Sequence, residues 1–336
     1  MRNKKIVVIA CILIAVSIFG AGCGIASGQN YTLYKYIDTV YSLAPQKLID
    51  GYKTISASET SMTVSTIVMP CVYEIDCTIY YSYSAYFAGS KPGTGSIQKV
   101  NESVTKHATA FMINENGYLL TNAHVITLEN AYSYTDLKYQ TWEIKINLAE
   151  TDTYFNAYVT AYDTQLDLAI LRVSTAQVNV STLEHVVFYN LQDPNLVEYP
   201  TAEMYYGEPI VTIGNTLGYG LAVSQGIVSS PRRYFSDGVN YTAAIQINTP
   251  VNEGDSGGVL CNVFARVVGM TSNNLTPDGA DNVGFAIPTY TILRYIDAVN
   301  TGKSTGVVFD TNLDIKYYYT NMREYSQTNI LSNYSN

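Results

Sequence analysis

The chain has 336 residues, enough to bury a real core in one large domain or two ordinary ones. Its 47% hydrophobic and 14% charged residues exclude a disordered chain and fit a neutral, β-rich surface. A net charge of -9 without a basic stripe leaves nothing to neutralise a run of phosphates, which excludes nucleic-acid binding.

The cationic Met1-Arg2-Asn3-Lys4-Lys5 precedes an uncharged, almost wholly apolar run from Ile6 to Phe19 and the small residues Gly20-Ala21-Gly22. This reads as an export signal that puts the rest of the chain outside the cytoplasm. No charge follows until Lys35, so the apolar stretch extends to about Ala26, roughly a bilayer-spanning length. Residues 1–28 are then a cleaved signal peptide or a retained membrane anchor, with the positive residues on the cytoplasmic side. Cys23 follows Ala21-Gly22 as in a bacterial lipoprotein signal, although Gly20 stands where a Leu-like residue is expected, so lipidation at Cys23 is a third outcome. Residues 29–62 form a stalk or linker: Leu33, Tyr34, Ile37, Val40, Tyr41, Leu48 and Ile49, interrupted by Pro45, suggest two short helices.

From about Thr63 the pattern changes to short β-branched and aromatic runs bounded by Gly, Asn, Asp and Pro. The first group comprises Ile67 to Tyr81, Ala108 to Ile113, Tyr118 to Thr121, Thr141 to Leu148, Phe155 to Ala161 and Leu168 to Val173. Asn114-Glu115-Asn116-Gly117 is a hairpin turn, with Asn116-Gly117 tolerating positive φ. After the polar, Pro-punctuated Ser174 to Glu208 come Ile210 to Gly214, Ala222 to Ser229, Ala243 to Asn248, Gly258 to Asn262, Val267 to Ser272 and Val283 to Ile287. Two groups of six predict an all-β fold of two six-stranded antiparallel β-barrels, about 63–175 and about 207–290. A C-terminal helix over 288–300 is opened by Pro288, presents Ile292, Leu293, Ile296 and Val299 on one face and is closed by Gly302. The domain thus runs over 63–303, and the Tyr/Asn-rich tail 304–336 reads as loosely packed.

Beyond the export signal lie three cysteines. Cys71 and Cys77 leave a disulfide open, although even spacing along one strand would hold them too far apart. Cys261 reads as a buried apolar filler. No Cys/His cluster has metal-ligand spacing, so no metal is expected.

The sharpest chemical feature is Glu253-Gly254-Asp255-Ser256-Gly257-Gly258. Glycines on both sides of Ser256 permit a tight turn in which backbone N–H groups converge beside the serine Oγ, where an oxyanion would form. A serine needs a base to become nucleophilic. Of three histidines, His124 directly follows a buried strand, whereas His107 and His185 lie in polar stretches and read as surface residues. The third partner must be a buried carboxylate, and Asp167, embedded in Leu166-Asp167-Leu168-Ala169-Ile170-Leu171, is costly to bury without a specific hydrogen-bond partner. Asp163, in Tyr162-Asp163-Thr164-Gln165, suits a turn.

The chain order His124, Asp167, Ser256 is that of the chymotrypsin-like fold. The chain resembles the bacterial HtrA/Deg trypsin-like serine proteases in T-N-A-H-V around His124, L-D-L-A-I-L around Asp167 and I-G-N-T-L-G-Y-G from Ile213 to Gly220. The likeness continues in Gln225-Gly226-Ile227-Val228-Ser229, N-E-G-D-S-G-G at Ser256 and Val283-Gly284-Phe285-Ala286-Ile287-Pro288, so that it covers roughly Ala108 to Pro288. The resemblance implies a cofactor-free endopeptidase that hydrolyses polypeptide substrates through an acyl-enzyme. His124, Asp167 and Ser256 would be its triad, and the N–H groups of Gly254 and Ser256, with that of Asp255 adjoining, its oxyanion hole. The S1 pocket should be shaped by Asn248, Thr249, Pro250 and Val251 and by Gly269, Met270, Thr271 and Ser272, without an acidic base, which favours small or medium apolar P1 residues. A catalytically silent, protease-fold surface binding or scaffold protein is the alternative, suggested by 31 tyrosines. Oligomerisation is left open.

Three departures accompany the resemblance. Ala108-Thr109-Ala110 replaces the family's frequent Gly-Ser-Gly. Too few residues follow Pro288 for a PDZ domain. Asp255 stands where the family usually has Asn, in a chain without an evident I-V-G-G activation site, so an internal donor is expected to compensate its charge.

Overall fold

Residues 57–89, 94–129, 131–147, 154–189, 204–236, 241–275, 282–310 and 313–320 are described by the computed structural model. The export segment, Cys23 and the stalk to residue 56 lie outside them. Helix α1 (Ala57–Val68) buries Val64 and Val68, one turn apart, and Ser61 Oγ donates to Gln225 Oε1 at 2.6 Å.

The first barrel is built from β1 (Val72–Phe87), β2 (Ser96–Met112), β3 (Tyr118–Thr121), β4 (Thr135–Asn147), β5 (Tyr154–Asp163) and β6 (Leu168–Val173). In the order β5-β4-β1-β2-β3-β6, with β6 pairing back onto β5, these six strands close antiparallel. The period-2 alternation of Tyr73, Ile75, Cys77 and Ile79 fills the interior with Ala110, Met112, Leu119 and Leu171. A one-turn helix, α2 (Ala123–Ile126), follows β3.

The second barrel takes β8 (Pro209–Gly214), β9 (Ala222–Ser236), β10 (Tyr241–Ile247), β11 (Val259–Asn262), β12 (Val267–Thr271) and β13 (Gly284–Pro288), in the order β11-β8-β9-β10-β13-β12 closed by β11 on β12. Helix α3 (Thr289–Asn300) follows β13 directly. The outer faces of both barrels meet in one core: Phe111, Leu120 and Ile170 pack with Val211, Val259 and Met270, with α1 through Val64 and Val68, and with α3 through Ile292, Ile296 and Val299. Each such buried side chain is worth roughly 1.5–3 kcal/mol. The site lies where these two barrels face each other.

Several expectations need correction. The strand expected from Ile67 starts only at Val72, because Ile67 and Val68 end α1 and Pro70 sits in a 3-10 turn, Met69–Cys71, where its missing N–H costs no ladder bond. β1 and β2 then stay paired from Val72 with Phe111 to Phe87 with Ser96, a longer ribbon than the sequence suggested. In the 114–117 turn only Gly117 has positive φ, +79°, while Asn114 Oδ1 accepts from Asn116 and Tyr118 N–H. Cys71, Cys77 and Cys261 are all free and buried.

The tail is not loose over its described part. β14 (Val307–Val308) adds to β5, and β15 (Tyr319–Thr320) runs parallel to β7 (Phe188–Tyr189), which itself joins β12. Ile315 is buried and exchanges two hydrogen bonds with the Asn300 side chain, at 2.8 and 3.0 Å. Two-residue strands carry too little sequence to show a period.

Candidate active site

Each of the three chemical residues leaves a strand end at the seam between the barrels. His124 sits in α2 immediately after β3. Asp167 precedes β6 rather than lying within a strand, and adopts the left-handed conformation at φ +54°, which Asp tolerates better than bulkier residues. Ser256 occupies the turn before β11.

His124 Nδ1 lies 2.9 Å from Asp167 Oδ1 and 3.0 Å from Oδ2. Since a carboxylate can only accept, Nδ1 carries the proton and Nε2 is left as acceptor for the Ser256 hydroxyl, 2.9 Å away. The His124 backbone N–H also donates to Asp167 Oδ1 at 3.0 Å, and Ser272 Oγ donates to Oδ2 at 2.7 Å. Asn122 Nδ2 holds the Asp167 carbonyl at 3.0 Å. The carboxylate is therefore fixed by donors from both barrels, with side chains of His124 and Asp167 only 17% and 14% exposed. A serine hydroxyl on an imidazole that is itself held by a buried carboxylate can pass its proton to the ring as its oxygen attacks a carbonyl.

Lys106 was not singled out by the sequence. It reaches from β2 to donate to His124 O at 2.7 Å and Thr127 O at 2.9 Å, and burial lowers its ammonium below the ordinary lysine value. The backbone N–H of Asn273, equally unsignalled, donates to Ser256 Oγ at 3.2 Å.

Asp255 is almost fully buried, and its charge is met internally. Oδ1 accepts from Thr216 Oγ1 at 2.6 Å and Oδ2 from Asn252 N–H at 2.9 Å. Burial still pushes its carboxyl above the ordinary range, an effect that these two donors partly offset. Its backbone N–H donates to Asn252 O at 3.1 Å, so of the three expected oxyanion-hole residues Gly254 and Ser256 remain as available donors. Gly257, at φ +83°, has no room for a side chain, since a Cβ there would overlap the Thr109 carbonyl.

The expected pocket residues separate. Met270 is in the shared core and Gly269 is paired on both sides within the sheet, with Leu260 and Pro288, so neither lines an opening. Ser272 serves Asp167, and Thr271 Oγ1 donates to Asp255 O at 2.6 Å. Pro250, Val251 and Thr271 border a small cavity of about 10 Å³ beside Asp255, Thr216 and Ser224, room for about one water. Asn248 Oδ1 accepts from Ile227 N–H at 2.7 Å, and Thr249 is buried. Gly284, missed in the sequence, lies flush on this segment: a Cβ would approach Thr249 O to 2.4 Å and Val251 Cγ2 to 2.6 Å.

The other candidates stay apart from the site. His107 Nδ1 pairs with Asp76 Oδ1 at 2.6 Å on the surface, and His185 lies tilted against Tyr318 with ring centroids 4.7 Å apart. Asp163 caps its own turn, accepting from Gln165 and Leu166 N–H at 2.9 and 3.0 Å.

A double barrel with such a cluster at its seam defines the trypsin-like class, and residues 108–270 match the trypsin-like peptidase domain family. The chain is thus similar to that family over about half of its length, and the named relatives are DegP-like and HtrA-type proteases. The chain is 28% identical over 198 residues to a probable periplasmic serine endoprotease DegP-like of Brucella suis, which covers 59% of this chain and 33% of the relative. It is 27% identical over 260 residues to the periplasmic serine endoprotease DegP of Escherichia coli, covering 74% of this chain and 49% of that one. The chain thus spans between a third and half of the length of these relatives. Among solved structures, the HtrA-type protease AlgW with decapeptide shares the fold, with a TM-score of 0.50 and 20% identity over 73% of this chain and 68% of that one.

Proposed function

We propose that the chain is a serine endopeptidase acting on polypeptides outside the cytoplasm, with Ser256 as nucleophile, His124 as general base and acid, and Asp167 as the carboxylate that orients and stabilises the imidazolium. The reading is carried by one observation, the 2.9 Å separation of Ser256 Oγ from His124 Nε2, the ring nitrogen opposite the one that Asp167 holds. Ser256 Oγ bonds to the substrate carbonyl carbon as its proton passes to His124 Nε2; that proton then goes to the leaving amine as the peptide C–N bond breaks. Water repeats the sequence on the acyl-enzyme, releasing the acid and restoring Ser256. The Gly254 and Ser256 N–H groups stabilise the oxyanion of each tetrahedral intermediate.

The cationic start and the apolar run of residues 6–19 support export, with the N-terminal segment serving as a membrane tether or, through Cys23, a lipid-anchored one. The named relatives are periplasmic endoproteases, which agrees with an extracytoplasmic place and a part in protein quality control or processing. Incubation with unfolded casein tests the activity: fragments that a fluorophosphonate suppresses support it, and intact casein beside a folded chain refutes it. Protease added outside intact cells whose outer layers admit it should remove the domain, whereas protection would refute export.

A further inference from the structure

In the turn around Ser256, four consecutive carbonyls are each pinned. Leu217 N–H donates to Glu253 O at 2.7 Å, Thr109 Oγ1 to Gly254 O at 2.8 Å, Thr271 Oγ1 to Asp255 O at 2.6 Å and Thr109 N–H to Ser256 O at 2.9 Å. A trans peptide directs its N–H opposite to its C=O, so each pinned carbonyl also aims the N–H of the following residue. Those of Asp255 and Gly257 are taken by Asn252 O at 3.1 Å and Thr271 O at 3.0 Å. Among the described residues, those of Gly254 and Ser256 meet no protein acceptor.

Two of the four pins come from one residue of the opposite barrel. Thr109 lies on β2 and is fully buried. Its hydroxyl accepts from Asn215 N–H at 2.8 Å while donating to Gly254 O, and its own carbonyl accepts from Thr121 Oγ1 at 2.7 Å. Asn215 opens the loop whose next two residues hold Asp255 Oδ1 and Glu253 O. A single hydroxyl therefore joins the serine turn to the loop that braces it. A methyl in its place would strand a buried donor and a buried acceptor together.

We infer that Thr109 is a positioning residue for the oxyanion hole, acting through the neighbouring peptides. Leu217 N–H and Thr271 Oγ1 aim the Gly254 and Ser256 N–H groups directly, while Thr109 locks the Gly254–Asp255 and Ser256–Gly257 peptides on either side of Asp255–Ser256, so that the turn cannot rotate and carry those two free N–H groups away from the intermediate's oxygen. The first barrel thus supplies part of the framework of a hole whose donors belong to the second. This rests on the endopeptidase reading.

Thr109→Val, which keeps the shape and loses the hydroxyl, tests it against Thr109→Ser, which keeps the hydroxyl, using a fluorogenic peptide cut from casein. The full chain with Val should lose kcat by about ten- to a hundredfold, less than or comparable to deleting an oxyanion donor, with KM within about twofold and the pH profile unmoved. Serine should restore kcat to within about threefold. Wild-type kcat in the Val variant, equal loss in Val and Ser, or a loss confined to KM would overturn the inference. If the Val variant does not fold, Thr109→Ala against Thr109→Ser makes the same comparison. A folded wild type without activity would refute the endopeptidase reading instead; the strut is then read by hydrogen exchange of the 253–257 segment, which should accelerate in Thr109→Val but not in Thr109→Ser, and equal exchange in all three would overturn it.

Discussion

Ser272 Oγ donates to Asp167 Oδ2 at 2.7 Å, so a residue at the end of β12 in the second barrel holds the carboxylate that orients His124 in the first. Removing this donor leaves the carboxylate anchored by His124 alone, through its ring and backbone N–H groups. Hydrogen bonds to charged groups are worth about 1.5–3 kcal/mol. Ser272→Ala should lower kcat by about tenfold or more with KM little changed, because the imidazolium is less well stabilised in the transition state. Unaltered kcat would remove Ser272 from the machinery.

Asp255→Asn should be accepted. The Asn Oδ1 can receive the Asn252 N–H now bound at 2.9 Å, and its Nδ2 can donate to Thr216 Oγ1, since a hydroxyl also accepts. Activity should stay within a few-fold of wild type. Stability should shift with a defined sign. Burial raises the folded-state Asp255 carboxyl above its unfolded value, so the folded state binds the proton more tightly and the wild type loses stability as pH rises through the raised value. Asn is exempt, so the variant should gain relative to wild type between acid and neutral pH in urea titrations. Loss of activity together with a constant stability difference would contradict this account of Asp255.

The three thiols should be inert in the native state. Burial pushes Cys71 and Cys77 up to about 12 and raises Cys261 as well, leaving almost no thiolate at pH 8. Iodoacetamide should modify none of them in the folded chain and all three in guanidinium. Rapid native labelling, or a mass showing Cys71 joined to Cys77, would contradict the packing.

Asn114→Ala tests the tail. The buried Asn114 side chain accepts from Asn116 and Tyr118 N–H and donates to Lys316 O at 2.7 Å, so it closes the hairpin and ties down the C-terminal segment at once. Losing three hydrogen bonds should cost roughly 2 to 4 kcal/mol by denaturant titration. A change below about half a kcal/mol would mean that the tail is not held there.

Most of this fold was legible because strands buried on one or both faces declare themselves: Tyr118–Thr121 and Leu168–Val173 begin and end where the sequence indicated. The outer halves of β1 and β2 were not legible. Ser82 to Phe87 is mostly half-buried to exposed and rich in Ser and Tyr, and Ser96 to Val104 faces largely solvent, so no clear apolar alternation marks them and only pairing in space defines them. The residues of the chemical cluster were readable from type and setting. Their supports were not: Lys106, Thr109 and Thr216 act on atoms 18, 145 and 39 positions away, and such contacts leave no local pattern. Of the expected pocket residues, Gly269 and Met270 line no opening, because alternation along β12 turns Gly269 to the barrel interior against Ala286 and Ile245 and Met270 to the core shared by the two barrels.

The central claim is that Ser256 is made nucleophilic by His124, and covalent capture measures it most directly. A fluorophosphonate should attach to Ser256 at one equivalent per folded chain, as read by intact mass and peptide mapping. Ser256→Ala should take up none while keeping the wild-type circular dichroism and melting temperature, and should leave casein uncut. Wild type that stays unlabelled while folded, or casein cleavage undiminished in Ser256→Ala, would contradict the account.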